Sequence, residues 1–299
     1  MVGFLLLAAI WGSSFLLIKV AVTAGVAPVW VALYRCLFGA VTLLALCAAG
    51  RHRLPSERRT WAHAAVVAAL LNAAPFTLLA LGEQRVSSVL AGVLNASTPL
   101  TTLLFALLLV PGERLTGRRL AGVALGFLGV LCLFGVWRGV PGGTLTGASA
   151  CLGATTCYGA GFAYTRRYYA GRGDSAVALS AALISAATVE LACVAPLAGP
   201  PGWPGTPAFG CLLLLGALGT GAAYILNLGV IRTVGAAAAA TVTYLTPVFS
   251  TLLGAVLLAE PVGASTLAGG VAVVAGVLLT RARPGRPVER PTASASDRC

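Results

Sequence analysis

The chain has 299 residues, of which 58% are hydrophobic and only 9% are charged. Soluble domains carry about 25% charged residues, so a chain this poor in charge cannot cover its apolar surface in water, and a soluble globular domain is excluded. The net charge of +12 would suit nucleic acid, but the basic residues lie in short segments between apolar blocks, which excludes nucleic acid as the partner and points to a lipid bilayer.

The apolar blocks have the length a helix needs to cross a bilayer, about 20 residues at 1.5 Å rise each. Taken in chain order, the first covers 2 to 23; it lacks the basic start of a signal peptide and is read as a membrane helix. The second, 28 to 50, opens on Pro28 and carries Arg35. The third, 61 to 82, holds Asn72, Pro75 and Phe76, and the fourth, 86 to 110, holds Asn95, Thr98 and Pro99. The fifth, 120 to 137, contains Gly122-x-x-x-Gly126, a spacing that lets helices approach closely. The sixth spans 147 to 169 with Tyr158, the seventh 175 to 198 with Glu190, and the eighth 208 to 231 with Tyr224 and Asn227. The ninth, 235 to 259, carries Tyr244, Thr246 and Pro247, and the tenth runs from 266 to 280. The remainder, Arg281 to Cys299, is rich in Arg, Pro, Ser and Ala without apolar periodicity, which predicts a disordered tail. Seven of the eight cysteines fall in apolar spans without Cys-x-x-Cys spacing and read as small packing residues.

Charge placement orients the spans. With a cytoplasmic N-terminus, the inside segments carry sixteen Arg residues and the outside segments only Arg85 and Arg138, while Lys19 and Arg35 lie within spans. This asymmetry over short loops follows the positive-inside rule and predicts that both termini are cytoplasmic.

The chain also repeats itself. Trp11-Gly-Ser-Ser-Phe-Leu-Leu-Ile-Lys19 aligns with Tyr158-Gly-Ala-Gly-Phe-Ala-Tyr-Thr-Arg166, and Thr98-Pro99 with Thr246-Pro247. Glu113 aligns with Glu260, Leu120-Ala-Gly with Leu267-Ala-Gly, and Gly129-Val-Leu with Gly276-Val-Leu, in the same order and at nearly one offset. The predicted organisation is a first repeat over 1–138, a second over 139–280 and a tail over 281–299. Five spans per half is an odd number, so the second half enters the membrane from the opposite side. Inverted repeats of this kind give two near-equivalent arrangements, the basis of alternating access in secondary transporters.

The Trp11-Gly-Ser-Ser-Phe opening with Lys19, Pro28 with Arg35, and the repeated Thr-Pro…Glu pattern resemble the EamA-type transporters of the drug/metabolite transporter superfamily. The likeness reaches to about residue 280. It implies an all-α membrane protein, ten transmembrane helices as two inverted five-helix repeats around a central cavity, in a bacterial plasma membrane, exporting a metabolite, amino acid or drug. The sequence departs from equal halves at one place: Ala182 stands opposite Arg35.

Candidate substrate-binding residues follow from the cost of polarity in lipid. Pro99 and Pro247 sit midway along spans four and nine and release the carbonyls of Asn95 and Thr243, beside Thr98, Tyr244 and Thr246. Interrupted helices at matched positions mark a binding site; they also serve as plain kinks. Arg35, Glu190 and Lys19 lie at similar depths in the outer half, which predicts a polar cluster that pairs when empty, with snorkelling to the interface as the alternative. Asn72, Phe76, Tyr224 and Asn227 either line the cavity or bond helix to helix. The motif aromatics Trp11 and Tyr158 complete the candidate set. Glu113 and Glu260 are expected to cap the helix that follows each of them.

No P-loop and no metal-ligand cluster is present in the sequence, so no cofactor is expected and transport runs down a gradient of the substrate, a proton or another ion. Two other classes stay open: a channel, and an intramembrane enzyme, for which Glu190 lacks a second carboxylate within a span. The expected assembly is a monomer or homodimer.

Overall fold

The computed structural model describes residues 2–109, 116–134, 142–169, 175–234 and 242–280. Glu113, Arg138, the run from Gly235 to Ala240 and the tail therefore lie outside the described residues, as do the side chains of Thr243 and Tyr244.

Ten helices occur among the described residues. They are α1 (Val2–Thr23), α2 (Pro28–Ala49), α3 (Arg58–Glu83), α4 (Ser88–Leu109), α5 (Gly117–Phe134) and α6 (Gly142–Tyr164). The second set comprises α7 (Ala176–Ala198), α8 (Thr206–Gly216, Ala217–Ala222 and Ala223–Val234 in succession), α9 (Val242–Leu257) and α10 (Ala264–Thr280). Six of them, α1 to α4, α7 and α8, are long and apolar enough to cross a membrane, and α9 and α10 contribute the shorter apolar stretches Leu245–Leu257 and Ala264–Leu279. Large apolar side chains such as Leu108, Phe127, Val256 and Val271 stay exposed on the outside of the bundle, where lipid tails solvate them. The seven described cysteines are free.

The helices pair in a pattern that survives exchange of each helix with the one five places later. Helix α1 packs on α9 and α6 on α4; α1 packs on α8 and α6 on α3; α2 packs on α8 and α7 on α3. The pairs α2 with α7, α4 with α9 and α5 with α10 map onto themselves. The α5–α10 contact repeats down to single residues. A Cβ on Gly129 would lie 2.7 Å from the Val273 nitrogen and 2.9 Å from the Gly269 carbonyl. One on Gly276 would lie 2.5 Å from the Gly126 nitrogen and 2.6 Å from the Gly122 carbonyl. Only glycine permits backbones this close, and dispersion between close backbones is what holds helices together once lipid has removed the hydrophobic driving force.

The two midspan prolines behave differently. Helix α4 stops at Asn95 and resumes at Thr98; the Thr98 hydroxyl takes up the Asn95 carbonyl that Pro99 releases, at 2.8 Å, and the Ser97 hydroxyl donates to the Leu94 carbonyl at 2.7 Å. Helix α9 runs unbroken through Pro247, against the expectation of matched interruptions. The residue of α9 corresponding to Ser97 is Leu245, which has no hydroxyl to support a break.

Two further departures from regular helix do match. A widened π-type turn occurs in α3 at Ala69–Ala73 and in α8 at Ala217–Ala222, at equivalent places in the two halves. In α3 it precedes Pro75, whose ring cannot fit a regular preceding turn. In α8 it contains Gly219 and Gly221. Such bulges re-aim the side chains they carry.

Candidate functional site

Each of the two π-type turns carries a buried polar group. Asn72 lies in the first and Thr220 in the second, 148 residues later, with 0% and 1% of their surfaces exposed. One turn further along, Phe76 on α3 corresponds to Tyr224 on α8. Helices α2 and α8 meet through Gly39 and Gly216: a Cβ on Gly216 would lie 2.7 Å from the Arg35 carbonyl, and one on Gly39 would lie 3.0 Å from the Thr220 methyl. That approach brings the Arg35 side chain against the π-type turn of α8 and against Phe76, one turn beyond Asn72 on α3. Its Nε donates to Thr220 Oγ1 at 3.0 Å, and its Cζ stands 3.7 Å above the centre of the Phe76 ring. The Tyr224 hydroxyl donates to Asn72 Oδ1 at 3.2 Å, while Asn72 Nδ2 is buried without a partner among the described residues. Tyr158 on α6 packs against the apolar cluster that contains Phe76 and lies within electrostatic reach of Arg35.

Arg35, Asn72, Phe76, Tyr158, Thr220 and Tyr224 thus form one belt supplied by four helices. Guanidinium over Phe76 combines a cation–π contact with desolvation, which favours a fixed side-chain position. The belt holds donors and aromatic faces and, among the described residues, no carboxylate bonded to the guanidinium.

Several expected neighbours are elsewhere. Arg35 makes no ion pair with Glu190, whose Oε2 is buried on α7 without a partner. Lys19 does not join them: its ammonium donates to the backbone carbonyls of Glu83 at 2.7 Å and Val86 at 2.9 Å, closing the end of α3. The predicted cluster fails because Lys19 finds carbonyls at a helix C-terminus, which attract a cation, and Arg35 finds Thr220 and a ring. Asn95, Thr98, Pro99, Thr246 and Pro247 lie along α4 and α9, with no described hydrogen bond or ring contact to the belt. Trp11 packs on Leu7, Ala8, Ala223 and Val242. Asn227 is half-buried on α8, and Tyr244 lies on α9.

Two residues escaped the reading of the sequence. Thr220 was detectable as the repeat partner of Asn72. Glu83 was placed just beyond the third span, yet it ends α3 with 0% exposure and both carboxylate oxygens unpartnered among the described residues. Glu260 has a structural role, although it caps α4 of the other half rather than α10. Among the described residues no group of three or more His, Cys, Asp or Glu side chains could hold a metal ion.

Residues 1–135 and 145–282 each match the EamA-like transporter family. The chain belongs to that family. As a member of the EamA-like family it is a membrane transporter and not an enzyme. It is 32% identical, over 94% of its own length and 92% of theirs, to proteins called uncharacterized inner membrane transporter YedA in Escherichia coli K12 and in Escherichia coli O157:H7. A solved crystal structure that is 20% identical superposes with a TM-score of 0.62, covering 93% of this chain and 95% of the other. That likeness concerns the fold, and the two family matches agree with a duplicated chain.

Proposed function

We propose that this EamA-like transporter is a secondary carrier of the bacterial inner membrane, with both termini cytoplasmic, exporting a small metabolite, amino acid or drug by alternating access. The halves 1–138 and 139–280 are inverted relative to each other, and the substrate rests in a central cavity at the belt of Arg35, Asn72, Phe76, Tyr158, Thr220 and Tyr224. The observation that carries this reading is the correspondence, 148 residues apart, of Asn72 with Thr220 in two equivalent π-type turns and of Phe76 with Tyr224 one turn beyond them. Matched irregularities in both halves, each bearing a buried polar group, are what a site shared between two access states needs. Arg35, which has no counterpart in the second half, supplies recognition that symmetry alone does not.

The distribution of Arg residues supports the orientation, and the relatives named as inner membrane transporters support the location. Coupling to a proton gradient needs a carboxyl group whose surroundings change between states, and Glu83 and Glu190 are the candidates within the described spans. Reconstitution into liposomes tests the carrier. Saturable uptake stimulated by substrate on the opposite side is the expected result, and its loss in Phe76→Ala ties it to the belt. Flux that never saturates would indicate a channel.

A further inference from the structure

We propose that the group this belt grips is a carboxylate, so that the transported molecule is an organic monoanion with a flat apolar body. The inference rests on reading the belt as the substrate site and concerns which chemistry it selects.

Arg35 has only 7% of its surface exposed. A buried cation needs an anion or a set of acceptors to offset its lost hydration. Among the described residues its protein partners are one neutral hydroxyl and one aromatic ring. Neither nearby carboxylate is hydrogen-bonded to it. Both Glu83 oxygens and Glu190 Oε2 are without hydrogen-bond partners, so no bond runs from them to Arg35. The described hydrogen bond uses Nε alone, which leaves the terminal amino groups for a ligand. Parallel N–H groups match the two oxygens of a carboxylate. A second unused donor lies in the same belt: Asn72 is fully buried, its Oδ1 is occupied by Tyr224, and its Nδ2 is unpartnered. With Oδ1 accepting from Tyr224, the free end is the Nδ2 donor.

The charge count limits the anion. Lys19, the other cation within a span, is committed to two backbone carbonyls at the end of α3. One available cation fits a monoanion and leaves a phosphate dianion half-compensated. Tyr158 and Tyr224, which are half-buried, supply the flat faces against which a planar apolar body packs, while Phe76 holds the guanidinium.

The test uses purified full-length protein in detergent and reads its melting temperature with benzoate and indole-3-acetate, with their primary amides, and with benzylamine and tryptamine. Carboxylates are expected to raise the melting temperature with at least tenfold higher apparent affinity than the amides, and the amines to give no shift. Asn72→Ala is expected to weaken the carboxylate effect about tenfold, and Arg35→Gln to abolish it. Arg35→Lys guards against a folding defect, because it keeps the charge while losing the paired N–H groups, and should retain a reduced shift. Equal shifts from carboxylates and amides, or carboxylate shifts that persist in Arg35→Gln, would overturn the proposal. So would protection by the amines alone, although that result would leave the carrier reading standing. Protection by none of the six, with Phe76→Ala also leaving counterflow unchanged, would remove the belt as substrate site as well.

Discussion

The carboxylate of Glu260, in the turn between α9 and α10, holds the start of α4 in the other half through Ser88. Its Oε1 accepts the Ser88 backbone N–H at 2.9 Å, and its Oε2 accepts the Ser88 hydroxyl at 2.8 Å and the Val89 N–H at 3.0 Å. A helix N-terminus has unsatisfied N–H groups and a positive dipole end, so a carboxylate there satisfies both. Gly254 keeps the space open, since a Cβ there would lie 2.7 Å from Ser88 Oγ and 2.8 Å from Glu260 Oε2. The two halves are tied together by this contact. Glu260→Ala is expected to cost about 1–3 kcal/mol of stability, read as a lower melting temperature in detergent, with Glu260→Gln losing less because it keeps acceptor geometry without charge.

Replacing Gly276 by Leu is expected to prevent the α5–α10 contact, because its Cβ would enter the backbone of Gly122 and Gly126. Backbone atoms cannot turn aside as a side chain can. The outcome to look for is loss of monodisperse protein on size exclusion, with Gly276→Ala, which adds the same Cβ, losing it as well.

Thr220→Val removes the acceptor of Arg35 Nε while keeping the shape of the side chain. The expected result is normal insertion and roughly tenfold weaker transport, measured as initial flux in liposomes. Thr220→Ser, which keeps the hydroxyl, should transport at close to the parent rate.

Glu83 lies fully buried with both oxygens unpartnered among the described residues. Burying an uncompensated polar group lowers stability, so Glu83→Leu is expected to raise the melting temperature by several degrees. A fall would show that the carboxyl has a stabilising partner in the folded protein.

Lys19→Leu removes the ammonium that closes the carbonyls of Glu83 and Val86. The expected loss is about 1 kcal/mol or more, seen as a lower melting temperature, with the effect retained in high salt because the contact is half-buried.

The sequence by itself determined that this chain lives in a bilayer and that it is built twice over. Lipid imposes one length and one polarity on every crossing helix, and duplication leaves marks at a constant offset, so both are written in one dimension. Most of the span ends fell within a few residues of the described helices for the same reason. Which polar residues meet was decided only by the tertiary structure. Arg35, Glu190 and Lys19 share a depth, and depth is all that a residue count along a helix supplies; the rotation of each helix about its axis comes from its neighbours. Helix α2 turns Arg35 toward α8 because Gly39 and Gly216 allow the two backbones to touch. The π-type turn of α8 carries Thr220 to Arg35 Nε, and that of α3 carries Asn72 to the Tyr224 hydroxyl. Pro99 and Pro247 read alike in the sequence, yet α4 breaks and α9 does not. The side chains at the two places differ: Ser97 donates to the Leu94 carbonyl, and its counterpart Leu245 has no hydroxyl.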